Sequence, residues 1–140
     1  GLPYASMQEA LIVASIVEKE TQFPGDRERV AAVFANRLRL GMPLQADPTV
    51  IYGLGDRFKG DITKAHLRQD TPYNTYTRKR LPPTPISNPG VRALRAVMNP
   101  AQSKALYFVA RGDGSSEFSE TLEQHNSAVD RFIRRLKGQI

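Results

Sequence analysis

The sequence predicts an α+β fold, mostly helical with one small antiparallel β-hairpin, in a single domain spanning residues 1–140. Three observations lead there. Apolar residues recur at helical spacing through most of the chain, polar capping residues punctuate those stretches as starts, and a single apolar run followed by a Gly-Asp-Gly turn reads as a hairpin. A chain of 140 residues buries roughly two-thirds of the surface it would expose unfolded, so a core forms without a disulfide or metal staple.

The first helix runs through Leu11-Ile12-Val13-Ala14-Ser15-Ile16-Val17-Glu18-Lys19-Glu20, and Phe23-Pro24-Gly25 stops it. At about 100° per residue, Ile12, Ile16 and Glu20 form one row flanked by Val13 and Val17, while Glu18 points away beside Leu11, Ala14 and Ser15. Asp26 is the expected N-cap of a second helix to Leu40, with Val30, Val33, Phe34 and Leu38 inward and Gly41 as the stop. After a loop over residues 42–46, Asp47-Pro48 reads as an N-cap followed by an N1 proline. They open a short helix that ends at Gly53-Leu54-Gly55. Thr63 caps another over residues 64–69.

From Asp70 to Pro89 the chain is rich in Thr, Pro, Asn and Tyr, and Pro82, Pro83 and Pro85 force extended backbone. The interleaved Tyr73, Tyr76 and Leu81 mark it as an ordered loop. Asn88-Pro89 repeats the cap-and-proline device for a helix with Val91, Leu94, Val97 and Met98 inward, closed by Asn99-Pro100. Residues 106–110 and 117–119 make the hairpin around Gly112-Asp113-Gly114. Thr121 and Gln124 form a capping box for the last helix, whose stripe is Leu122, His125, Asn126, Val129, Phe132, Ile133 and Leu136.

Composition narrows the chemistry. With no cysteine, a thiol nucleophile and thiolate metal sites are excluded. Two histidines without paired carboxylates nearby do not make a metal site, and no cofactor is called for. A net charge of +6 favours anionic partners, but the dispersed Lys and Arg and the absence of a nucleic-acid-binding motif argue against nucleic acid. No apolar stretch reaches the roughly 18 residues that span a bilayer, and no signal peptide opens the chain. Gly1-Leu2-Pro3 does not read as a natural start.

Glu20 is the candidate general acid. Burial against branched side chains and the negative end of its helix both disfavour the carboxylate, which keeps the proton toward neutral pH. Polar clusters follow at Gln45, at Asn74 and at Tyr73 and Tyr76; amides and tyrosines suit the hydroxyl and N-acetyl groups of sugars. For both tyrosines, packing of the loop is an equal alternative to substrate contact, and for Gln45 and Asn74 hydrogen bonding to the loop backbone is the second reading. Of the remaining acids, Asp47 is read as a helix cap, and Asp56, Asp61 and Asp70 lie in polar turns, so none is assigned direct chemistry. His66 is expected to be exposed. His125 and Asn126 are read first as satisfied groups under the hairpin and second as groove contacts. Arg78-Lys79-Arg80 reads as a solvated basic loop, or else an anion site.

The runs Ser15-Ile16-Val17-Glu18-Lys19-Glu20-Thr21, Leu44-Gln45-Ala46-Asp47-Pro48-Thr49-Val50-Ile51-Tyr52-Gly53, Tyr73-Asn74-Thr75-Tyr76, Leu81-Pro82-Pro83 with Ile86-Ser87-Asn88-Pro89-Gly90, and Tyr107-Phe108-Val109 followed by His125-Asn126 together carry a resemblance. The chain resembles the catalytic domain of the endolytic murein transglycosylase, or YceG-like, family. It is more distantly similar to soluble lytic transglycosylases, with Thr21 where those have serine and Pro72 where they have alanine. The resemblance implies a lysozyme-like catalytic domain acting on peptidoglycan glycan strands, with Glu20 as the acid and Glu18 as the alternative. It also implies Thr21, Gln45, Tyr73, Asn74, Tyr76 and Asn126 as substrate contacts. The muramyl C6 hydroxyl would attack the anomeric carbon, leaving a 1,6-anhydro end and removing the need for a second carboxylate. For the parent protein it implies an N-terminal membrane helix, a LysM-like domain, a place on the periplasmic side of the inner membrane and peptidoglycan synthases as partners. A hydrolytic muramidase and a non-catalytic wall-binding module are the rival readings.

Overall fold

In the computed structural model, which describes residues 1–134, helix α1 (Met7–Glu20) forms the centre of the core. It begins ahead of the apolar run because the Ser6 hydroxyl accepts the Glu9 N–H at 3.2 Å. Val13, Ile16 and Val17 are fully buried on it. Each such side chain contributes roughly 1.5–3 kcal/mol by leaving water. Helix α2 (Arg27–Leu40) presents Val30, Val33 and Phe34 to the same core and ends on Gly41, whose φ of 70° is the left-handed geometry that glycine adopts without strain. Helix α3 (Asp47–Leu54), the short α4 (Lys64–Arg68) and α5 (Val91–Met98) follow, and α1 packs on α5, α2 and α3.

Strands β1 (Tyr107–Ala110) and β2 (Ser116–Ser119) pair antiparallel with Phe108 opposite Phe118. Gly112 and Gly114 both take φ of 95° in the connecting turn. The Thr121–Gln124 capping box is present, and α6 (Leu122–Val129) packs on both strands before a π-helical turn at Asp130–Arg134. Phe34 and Phe108 meet edge to face at 6.2 Å and join the hairpin to the helical core.

Several local expectations give way to tertiary partners. Asp26 precedes α2 but makes no capping bond; it is buried, and its Oδ2 accepts the Ser116 N–H at 2.9 Å, tying α2 to β2. Asp47 is the first residue of α3 rather than its cap, and Ala46 holds the cap position without a side-chain bond. Helix α5 starts after Gly90, not at Asn88-Pro89, and its capping acceptor comes from outside: Glu18 Oε1 takes the Gly90 N–H at 2.7 Å. Its inward face is Ala93, Ala96 and Val97, whereas Val91 and Met98 are exposed. On α6 Ala128 is the buried residue, and Leu122 and Asn126 are exposed. Leu136 lies outside the described residues.

The segment 70–89 is irregular but heavily bonded. Asn74 organises it. Its Nδ2 donates to the carbonyls of Leu67 and Gln69, and its Oδ1 accepts the N–H groups of Tyr76 and Thr77. Thr75 then grips the chain before α3, its Oγ1 accepting the Ala46 N–H at 2.9 Å and meeting Thr49 Oγ1 at 2.8 Å. The loop also crosses α3 closely at Gly53, where a Cβ would lie 2.3 Å from Thr71 Oγ1. These contacts place Tyr76 beside the start of α3. No helix among the described residues is long and apolar enough to cross a membrane.

Candidate active site

The end of α1, the inner face of α2, the chain entering α3, the hairpin and α6 enclose a cavity of about 400 Å³. Glu20, Arg37, Gln45, Asp47, Tyr76, Tyr107 and His125 are its polar lining, over an apolar floor that includes Phe34 and Leu44. Glu20 reaches it because the row Ile12, Ile16, Glu20 continues off the core at the last residue of α1. As a whole residue Glu20 keeps some open surface, but its carboxyl is closely surrounded by protein, and that local crowding governs its protonation. Burial, and secondarily the charge of Asp47, raise its pKa from 4.5 to about 7. The Glu20 carboxyl accepts no hydrogen bond from the described residues, so no donor offsets that penalty.

Glu18 does not compete for this position. Its carboxylate is engaged by the Gly90 N–H, away from the cavity.

Asp47 enters the cavity in place of capping α3. The Tyr76 hydroxyl donates to its Oδ1 at 2.5 Å. Burial and then the Asp47 hydrogen bond raise the pKa of Tyr76, so it stays a neutral donor. Gln45 stands between them and α2 with φ of 52°, an unusual conformation for a side-chain-bearing residue, held by its N–H bond to the Thr75 carbonyl at 3.2 Å. Its side chain is exposed to the cavity, with Oε1 at 3.5 Å from Arg37 Nη1.

Arg37 is buried on α2, its Nε donating to the Leu106 carbonyl and its Nη1 to the Pro43 carbonyl, both at 2.7 Å. Its guanidinium lies 5.0 Å from the Tyr107 ring centre, and His125 stacks on that ring at 5.0 Å. His125 is therefore part of the cavity wall rather than a satisfied group beneath the hairpin; its Nδ1 is buried without a hydrogen-bond partner among the described residues. Burial, and then Arg37, lower its pKa and favour the neutral ring.

The remaining sequence candidates lie elsewhere. Asn74 is buried with its amide fully engaged in the loop, outside the cavity lining. Tyr73 bonds Thr84 through its hydroxyl and packs against Tyr52 at 4.8 Å, also outside it. Asn126 is exposed on α6 beside His125 but does not line the cavity. Thr21 caps the end of α1, its Oγ1 buried and without a partner among the described residues. His66, expected to be exposed, is half-buried, its Nδ1 accepting the Thr63 N–H. Arg78 pairs with Asp70 at 3.0 Å, which leaves less free charge in the basic loop than the sequence predicts.

Arg37, Asp47 and Tyr107 are the cavity residues that sequence reasoning missed, and His125 takes the second of its two readings, a groove contact. Arg37 had a signal: it continues the Val30, Val33, Phe34 stripe at helical spacing, where a charge is out of place. No group of three or more His, Cys, Asp or Glu that could hold a metal occurs among the described residues.

The sequence profile of the YceG-like family matches residues 1–131. A protein named endolytic murein transglycosylase from Bacillus subtilis (strain 168) is 41% identical over 128 residues, covering 91% of this chain and 35% of its own length. One of the same name from Streptococcus pneumoniae serotype 2 (strain D39) is 35% identical over 134 residues, covering 91% of this chain and 24% of its own. The chain thus spans about a third or less of the curated relatives it matches. The crystal structure of a yceG-like protein from Listeria monocytogenes superposes with a TM-score of 0.79 at 46% identity, over 87% of this chain and 39% of that one.

Proposed function

The chain belongs to the YceG-like family, and from that premise we propose that it is a lytic transglycosylase domain that cuts peptidoglycan within its glycan strands. The observation that carries the reading is Glu20: a carboxyl with a pKa raised to about 7, facing a cavity lined by amide, tyrosyl and guanidinium groups. A group with that pKa holds a proton at neutral pH and can release it to a leaving oxygen.

The bond cleaved is the β-1,4 link from N-acetylmuramic acid to N-acetylglucosamine. Glu20 gives its proton to the glycosidic oxygen as that bond breaks, and the resulting carboxylate takes the proton of the muramyl C6 hydroxyl as its oxygen bonds to the anomeric carbon. The product ends in a 1,6-anhydro sugar, and Glu20 returns to its starting state. No water is consumed. Gln45, Tyr76 and the Arg37 side of the cavity are placed to orient the sugar, which lowers the entropic barrier to ring closure. In the parent protein the reaction takes place on the outer face of the cytoplasmic membrane, beside peptidoglycan synthases, and ends the growth of new strands.

One observation favours a second reading, a hydrolytic muramidase: Asp47 supplies a second carboxylate in the same cavity. Digestion of purified glycan strands separates the two. Fragments ending in anhydro sugars, each lighter by one water than a reducing end, are the expected products. Reducing ends would establish hydrolysis.

A further inference from the structure

The local sequence rule makes Asp47 a helix cap, yet the folded chain gives it no capping role. Its carboxylate instead turns into the cavity that holds Glu20 and is anchored there by the Tyr76 hydroxyl, a partner 29 positions away. The two carboxyl groups sit in opposite settings. Asp47 stands in the first turn of α3, at the positive end of that helix, and receives a hydrogen bond from the Tyr76 hydroxyl. Glu20 is the last residue of α1, at the negative end of its helix, without a donor among the described residues. When two carboxyl groups share a site, a proton is retained on the one whose surroundings support charge less well.

We propose that Asp47 is a positioning residue for this reaction: a fixed negative charge, clamped by Tyr76, that keeps the proton on Glu20 until substrate takes it. The inference rests on the proposed role of Glu20 as the acid. The other ionisable groups facing the cavity are Arg37 from α2, Tyr76 from the loop, Tyr107 from β1 and His125 from α6; α5, though packed on α1, contributes none. The Arg37 guanidinium in this lining is held on two backbone carbonyls and under the Tyr107 ring. Burial remains the larger influence on Glu20, and Asp47 adds to it.

Asp47→Asn removes the charge while preserving an acceptor for the Tyr76 hydroxyl, and Tyr76→Phe removes the clamp while preserving the charge. The Glu20 carboxyl is titrated in each by carbon-13 NMR, and the pH dependence of strand cleavage is recorded alongside Glu20→Gln. In Asp47→Asn the Glu20 midpoint and the alkaline limb of kcat/KM are expected to fall together by about half a unit to one unit. The rate at about pH 8 would then drop roughly 3- to 10-fold, with little change at about pH 5. Tyr76→Phe is expected to keep the midpoint near its original value.

An unmoved midpoint in Asp47→Asn overturns the inference while leaving the Glu20 assignment in place, provided Glu20→Gln is inactive. Equal shifts in both variants also overturn it, since they would assign the effect to the hydrogen bond rather than the charge. Loss of cleavage at every pH with an unmoved midpoint would make Asp47 a direct participant and overturn the positioning role. An active Glu20→Gln variant is a different failure, that of the proposed acid.

Discussion

Glu18 and Gly90 are joined by a 2.7 Å hydrogen bond from the Gly90 N–H to Glu18 Oε1, which ties the end of α1 to the start of α5. Two carboxylates two positions apart on one helix thereby acquire different tasks, one structural and one facing the cavity. Glu18→Ala removes an acceptor at a helix start, so a loss of about 1 kcal/mol in chemical denaturation is expected, with the alkaline limb of activity unmoved. A loss of cleavage at unchanged stability would instead move the acid to Glu18.

The raised pKa of Glu20 makes stability depend on pH in a definite direction. Folded, the group keeps its proton to about pH 7, whereas unfolded it releases it near 4.5. Between those values the unfolded chain binds fewer protons, so stability falls as pH rises through the window and levels off above it. Glu20→Gln has no such dependence. It is expected to match the native chain at about pH 4 and exceed it at about pH 8 by up to about 3 kcal/mol, an upper bound because the cavity admits some water. Thermal melts across pH measure this, and parallel curves for the two proteins would show that Glu20 titrates normally.

Ser15 is a buried polar residue whose bonds are all accounted for. Its hydroxyl donates to the Ile12 carbonyl at 2.6 Å and accepts the Ile86 N–H at 3.0 Å, joining α1 to the extended chain before α5. Ser15→Ala strands the Ile86 N–H away from water and is expected to cost about 1–3 kcal/mol. Equilibrium unfolding in urea tests it; a neutral substitution would mean that the loop rearranges to satisfy the group.

Asn74 is placed to fix the loop rather than to hold sugar. Asn74→Ala leaves the carbonyls of Leu67 and Gln69 and the N–H groups of Tyr76 and Thr77 without their partner. A loss of about 2 kcal/mol or more is expected, with faster proteolysis within residues 70–89. Full stability combined with a raised KM would restore Asn74 as a substrate contact.

What the sequence disclosed and what it withheld divide along a physical line. Helices α1 and α2, the hairpin and the Thr63 and Thr121 caps depend on periodicity and on partners a few residues away, and they form where those patterns place them. Glu20 was legible for the same reason, as the continuation of the Ile12, Ile16 row. Asp26, Asp47 and Asn88 read as caps under the same local rule. Asp26 and Asp47 are drawn away by partners 90 and 29 positions distant, and the acceptor at α5 is instead Glu18, 72 positions away. Asn74 takes its second reading, a loop-backbone hydrogen bonder, because the backbone groups it binds leave no mark in a sequence while its amide resembles a sugar contact. His125 takes the wall position that the sequence offered second, because β1 brings Tyr107 against its ring.

The rate of strand cleavage by Glu20→Gln, compared with the native chain at matched folding, tests the role of Glu20 most directly. Glutamine keeps the shape and cannot give up a proton, so a fall of about 100-fold or more is expected, with strand binding retained. Cleavage at the native rate would contradict Glu20 as the proton donor.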